Sequence, residues 1–200
     1  MKKYSTRIKS TDFMYIEFKK VARLKLENPN LTSKEIKTRA VEDNIFQVDT
    51  VNRRKTIAKA MIRRLKVVDE YLLEQLANGV LDTSKQITLY TILKNDRLFF
   101  EFMREVYREK YLIKDPYLTD KDFNIFFHKK SEQSEKVAGW KDYTYYKLKQ
   151  TIVRILFEAG FINHQDERRI VKPIMNQELI EHLNELGDQE YAKVMLAKIR

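Results

Sequence analysis

The sequence predicts an all-α protein, a compact helical bundle with two helix-turn-helix elements and a short wing near the C-terminus. Three observations lead there. Only 4 Gly and 3 Pro punctuate 200 residues, so long stretches run unbroken. Large apolar residues recur at helical spacing, as Leu98, Phe102 and Val106 do. Two similar cap motifs, LTSKEI at 31–36 and LTDKDF at 118–123, each open such a stretch. With 43% hydrophobic and 12% aromatic residues, the chain has ample material for a core.

The elements follow in order. Residues 12–28 read as a first helix, ended by Asn28-Pro29-Asn30. In LTSKEI, Thr32 is placed to cap a helix whose third residue, Glu35, reaches back to it. Leu31 and Ile36 hold the flanking staple positions. That helix is expected to run to about Asn44. IFQV makes a short connection, Asp49 or Thr50 caps again, and a long helix is expected to extend to about Asn78, where Gly79 stops it. Helix, turn, helix is the outline of units whose second helix enters a DNA major groove. Any helical hairpin shares it, so charge must decide.

The segment VNRRKTIAKAMIRRLK at 51–66 carries that charge. At about 100° per residue, Ile57, Ala58, Met61, Ile62, Leu65 and Val68 gather on one arc. Asn52, Lys55, Thr56, Lys59, Arg63 and Lys66 gather on another, flanked by Arg53 and Arg64, while Arg54 points toward the apolar side as a buried or capping group. No carboxylate interrupts Val51 to Val68. A merely solvated face mixes signs, because like charges at i and i+4 repel by a few tenths of a kcal/mol. The row Lys55, Lys59, Arg63 accepts that repulsion, which favours a surface meant for phosphates. The wider distribution agrees: residues 1–66 hold 18 Lys or Arg against 7 Asp or Glu, and residues 67–200 hold 21 against 22. Such asymmetry attracts a polyanion, nucleic acid first and an anionic membrane surface second.

Residues 82–115 read as helical, with Phe99, Phe100 and Tyr107 expected in the core, base stacking being their alternative role, and the alternating charges of FFEFMREVYREK toward solvent. After Pro116 the pattern repeats. Thr119 caps, Asp122 stands at the third position, and Leu118 and Phe123 take the staple positions. TIVRILF at 151–157 parallels TIAKAMI at 56–62, with SEQSEKVAG as an extended turn between the paired motifs. The second amphipathic helix is expected to bury Tyr145, Leu148, Ile152, Ile155 and Leu156. It would present Thr144, Lys147, Gln150, Thr151 and Arg154 outward, with Tyr143 near its start. Glu158 stands where the first copy has Arg63. Beyond Gly160, FINHQDERRIVKP reads as a loop or wing bearing Arg168, Arg169 and Lys172. Two subdomains are therefore expected, residues 1–80 and 81–200, each with one helix-turn-helix element.

Several classes find no support. The chain has no cysteine, hence no disulfide framework, thiolate metal site or cysteine nucleophile. No apolar run has the length of a signal peptide core or a membrane span, so a cytoplasmic protein is expected. There is no Gly-rich phosphate loop or dinucleotide fingerprint, and His128, His164 and His182 lack ligand spacing. His164 with Asp166 is the nearest approach to a catalytic pair, and adjacent polar loop residues are usually just solvated. The expectation is a non-catalytic protein without cofactor or metal.

The chain also resembles the BrxA family, small helical core proteins of bacterial BREX phage-defence systems. The resemblance rests on EDNIF at 42–46, NRRKTIAKAMIRRL at 52–65 and FFEFMREVYREK at 99–110. It extends to the pattern W-x-x-x-T-x-x-K-x-K-x-T from Trp140, followed by LFEAGFI and RRIVKPIM. It implies an all-helical monomer with helix-turn-helix elements that binds double-stranded DNA. Such a protein is expected to act beside an adenine methyltransferase, a large ATPase and a phosphatase-like protein; an older label of the family as an inner-membrane protein finds no support in this sequence. The family has also been likened to the RNA-binding antitermination factor NusB, so an RNA-binding module is one alternative. An adaptor docking its basic helix on an acidic partner is another.

Overall fold

The computed structural model describes residues 3–171 and 174–196. Their contacts fall into two units, Phe13–Asn95 on one side and Met1–Asp12 with Asp96–Arg200 on the other. The division expected near residue 80 thus falls at Asn95–Asp96, and the first dozen residues belong with the C-terminal unit. The reason is the helix after Gly79, which packs on three helices of the basic unit.

That unit begins with α1 (Tyr15–Glu27), which ends at Asn28. Helix α2 (Ser33–Glu42) starts at the expected capping box: Thr32 N–H donates to Glu35 Oε2 at 2.7 Å and Glu35 N–H to Thr32 Oγ1 at 3.3 Å. The connection through residues 43–50 turns twice through left-handed backbone, at Asn44 and Gln47. The Asn44 side chain accepts from Val48 N–H at 3.1 Å. Helix α3 (Val51–Leu65) follows, then α4 (Glu70–Asn78) and α5 (Leu81–Asn95). The single long helix expected from 51 to 78 is broken at Lys66–Asp69. Asp69 competes with the helix by accepting from Leu72 N–H at 2.9 Å, which opens α4 as a separate segment. Gly79 does end α4, although its φ of −65° is ordinary. Glycine is needed for space, since a Cβ there would lie 2.4 Å from Gln75 O. Helix α5 packs on α1, α3 and α4 and is buried nearly all round, Thr88 and Thr91 donating to backbone carbonyls one turn back.

In the other unit α6 (Arg97–Phe102) runs through a π-helical turn (Met103–Tyr107) into α7 (Arg108–Leu112). Its charges do not simply face water, as the alternation suggested. Glu101 is buried and accepts from Tyr4 Oη at 2.7 Å, Arg97 Nε at 2.7 Å and Lys130 Nζ at 2.8 Å. Lys110, also buried, reaches Asp115 at 2.8 Å and Asp122 at 2.9 Å. Helix α8 (Asp120–Glu132) opens on the second capping box, Thr119 N–H donating to Asp122 Oδ2 at 2.7 Å. Asp122 therefore closes a cap and neutralises Lys110 at once. Phe102 stacks on Phe123 at 4.7 Å and meets Phe126 edge-on at 5.3 Å. The segment read as an extended turn folds partly into α9 (Glu135–Ala138) before α10 (Asp142–Glu158).

After Gly160, in left-handed backbone at φ +80°, the chain folds back as a wing-like loop. Antiparallel bridges join Ile162 to Ile170 and Tyr117 to Arg169, so residues before α8 pair with the loop's returning arm. The buried Tyr107 hydroxyl anchors it from the π-turn, within reach of Phe161 O (3.1 Å) and Val171 O (2.9 Å). Lys172 lies outside the described residues. Helices α11 (Gln177–Glu185) and α12 (Gln189–Leu196) complete the unit.

Candidate nucleic-acid interface

Two helices carry the residues singled out by sequence. Helix α3 begins at Thr50, whose Oγ1 accepts from Arg53 N–H at 3.4 Å. Arg54 reaches back as expected, donating from Nε to Val48 O at 2.8 Å and from a terminal nitrogen to Asp49 O at 3.1 Å. These bonds fix the angle at which the connection enters the helix. One face of α3 is buried through Ile57, Ala58, Ala60, Met61 and Ile62. Asn52, Arg53, Lys55, Thr56, Lys59 and Lys66 are exposed, and Arg63 is half-buried at the margin. Thr56 donates its hydroxyl to Asn52 O at 2.9 Å, leaving only acceptor capacity for a ligand.

Arg64 departs from expectation. Rather than flanking the basic face it is 3% exposed, donates to Phe13 O at 2.5 Å and lies 5.9 Å from the Phe18 ring centre. A guanidinium tolerates such burial because its charge lies over a ring while its edge is hydrogen-bonded. The outward face loses one cation thereby and keeps a coherent row. Lys55, Lys59 and Lys66 have no ion-pair partner among the described residues.

Helix α10 is arranged differently. Its buried face is Leu148, Thr151, Ile152, Val153, Ile155 and Leu156. Thr151 therefore sits inward, contrary to expectation, because its hydroxyl is satisfied by Lys147 O at 2.8 Å and its methyl joins the core. Tyr145 donates to Val137 O at 2.5 Å and packs on Phe127 and Trp140, setting the helix against α8 and α9. Tyr143 is exposed, while Thr144, Lys147 and Gln150 are half-exposed.

Internal carboxylates neutralise much of the cationic character around α10. Arg154 pairs with Asp12 at 2.9 Å. Arg168 at 2.6 Å and Lys149 at 2.9 Å both hold Asp120, and these bonds keep its carboxyl below the ordinary aspartate range. Arg169 is exposed and makes no side-chain ion pair among the described residues. His164 and Asp166 face solvent in the loop, where Asp166 N–H donates to His164 Nδ1 at 3.2 Å, a local turn.

Sequence reasoning passed over Tyr146 and Phe157, which are 50% and 38% exposed. Counting 100° per residue from Tyr143 places both on its stripe, so the signal was present. No group of three or more metal-ligating side chains occurs among the described residues, and none of their helices is long and apolar enough to cross a membrane.

Fold and surface together define a helical protein whose basic helix α3 presents Lys55 and Lys59 to solvent without an ion-pair partner among the described residues. Comparison with known proteins makes the assignment specific. The chain belongs to the BrxA family, whose profile it matches over residues 2–187. It is 47% identical over 196 residues to a BREX protein BrxA of Bacillus cereus (strain H3081.97), covering 98% of this chain and 97% of that one. A BREX protein BrxA of Paramagnetospirillum magneticum (strain ATCC 700264 / AMB-1) is 22% identical over 147 residues, 74% of each chain. A crystal structure of an uncharacterized protein from Magnetospirillum magneticum shares the fold, with a TM-score of 0.85 at 22% identity. That match covers 98% of this chain and 100% of the other.

Proposed function

We propose that this protein binds double-stranded DNA, without catalysis and with weak sequence preference, as a cytoplasmic component of a BREX phage-defence system. The observation that carries the reading is the row of Lys55 and Lys59 on α3 with Lys66 just past its end, exposed and without counter-ions among the described residues. Such a row is electrostatically unfavourable in isolation and favourable against phosphates. With Arg63 it supplies affinity, while Asn52 and Arg53 at the start of α3 have the donors to touch base edges. Helices α2 and α3 then act as a helix-turn-helix unit. Helices α8 and α10, with the loop bearing Arg168 and Arg169, act as a second, winged one. Lys147, Gln150 and Arg154 add contacts there. Kinship with proteins described as BREX protein BrxA supports the defence context, and with it other BREX proteins as partners.

The test is fluorescence anisotropy on a labelled duplex across a salt series, with structured RNA as competitor. With about five phosphates contacted, log affinity falls against log salt at a slope near −4 to −5. A flat salt response overturns the reading, and preferential displacement by RNA transfers it to a different nucleic acid.

A further inference from the structure

The outward stripe of α10 differs in kind from that of α3. At about 100° per residue, Tyr143, Tyr146, Lys147, Gln150, Arg154 and Phe157 fall within an arc of roughly 100° along the whole helix. Three are aromatic, three carry nitrogen donors, and none is a carboxylate. Tyr143 is 66% exposed, and its ring centre lies 6.5 Å from that of Tyr146, near the outer limit for mutual ring contact. Their faces are therefore not spent on each other. Lys147 Nζ lies 5.6 Å from one ring centre and 5.8 Å from the other. It donates to the Gln150 amide oxygen at 3.2 Å, a neutral partner that leaves its charge in place. The Gln150 amide nitrogen in turn donates to Tyr146 Oη at 2.7 Å, holding that ring upright. Beside Tyr146 opens a cleft of about 270 Å³ walled by Gln150, Val153, Arg154, Asp166 and Arg168.

We infer that this stripe is a stacking platform for unpaired bases of DNA, with Tyr143 and Tyr146 as the stacking rings and the adjoining cleft as the place for a splayed nucleotide. The inference rests on the reading of the protein as DNA-binding and adds unpaired bases to the duplex contacts given to α10. Paired bases hide their faces in the duplex, so exposed rings gain little from them. Unpaired bases offer a π-face to any ring regardless of sequence, and cations between the rings track the intervening phosphates. The amide and guanidinium groups at the cleft are donors for base edges. A protein partner is less well matched, since two exposed rings with the Lys147 ammonium between them complement a polyanion with aromatic faces.

The experiment uses the full chain and two DNAs of one sequence, a blunt duplex and a duplex with a short central gap carrying 2-aminopurine. Wild-type protein binds the gapped DNA about tenfold or more tightly than the blunt one and changes the 2-aminopurine fluorescence. Y143A/Y146A brings the affinity ratio to about one, whereas Y143F/Y146F retains it, because the rings and not the hydroxyls do the stacking. Both side chains are largely outside the core, and circular dichroism checks the fold of each variant. Equal binding of gapped and blunt DNA by the wild type, or an unchanged ratio in Y143A/Y146A, overturns the platform while leaving duplex binding standing. Binding to neither DNA overturns both.

Discussion

Replacing Lys55 and Lys59 together by alanine removes two exposed ammonium groups one turn apart on α3, neither engaged by an internal carboxylate among the described residues. The effect on binding follows from counter-ion release. Each phosphate contact contributes about 0.9 to the slope of log affinity against log salt, so K55A/K59A lowers its magnitude by about 1.8. At an ionic strength of about 0.1 M the same relation gives roughly eightfold per contact, or about sixtyfold for both. The effect on the fold has the opposite sign. Alanine is the better helix former, and the i, i+4 repulsion of a few tenths of a kcal/mol disappears, so thermal stability holds or rises slightly. Loss of binding without loss of stability is therefore the signature. Anisotropy titrations between about 50 and 200 mM salt, beside thermal melts of the same samples, measure both. An unchanged slope in K55A/K59A would refute the phosphate-facing role of α3, whatever the absolute affinity.

Other outcomes are expected of the scaffold. Thr119→Ala removes the hydroxyl that caps α8 and lowers stability in urea unfolding by about 1 kcal/mol. Gly79→Ala pushes a methyl group against Gln75 O and destabilises by about 1–3 kcal/mol, although φ there suits any residue, and the denaturant midpoint reads the loss. Burial raises the Glu101 carboxyl, but hydrogen bonds from Lys130, Arg97 and Tyr4 outweigh it, leaving the group below its ordinary 4.5. A depressed carboxylate stabilises the fold fully above 4.5 and loses that contribution as pH falls through its lower folded value. E101Q therefore unfolds more readily at neutral pH and shows a shallower acid dependence of stability below pH 4.5, as pH-dependent denaturation curves report.

Much of this architecture was legible because its determinants are local. Both capping boxes involve residues three apart, and Thr32 with Glu35 and Thr119 with Asp122 close them as their spacing implies. The two faces of α3 follow from periodicity, and the inward reach of Arg54 from its position on the wheel. Misreadings came where a distant group decides. Arg154 finds Asp12, 142 residues away, and Arg168 finds Asp120, 48 residues away. No pattern along the helix reveals that either charge is spoken for. Glu101 and Lys110 look like solvent-side charges in an amphipathic strip, and only packing shows Glu101 buried with Lys130 and Tyr4, and Lys110 buried against Asp115 and Asp122. The break at Lys66–Asp69 has a local signal in the capping residue Asp69, masked by a helical pattern that continues on either side of it. Arg64 shows a different limit, because periodicity assigns a side chain to the edge of a face without saying whether a ring waits beneath it.

The central claim, that the outward face of α3 lies against duplex DNA, is tested most directly by contact mapping. A photo-crosslinking residue introduced at Lys59 is compared with one at Glu181, an exposed position on α11. With a labelled blunt duplex in moderate salt, crosslinking at 59 that excess unlabelled duplex competes away, together with little at 181, is the predicted result. Equal labelling from both positions, or labelling from 181 alone, would contradict it.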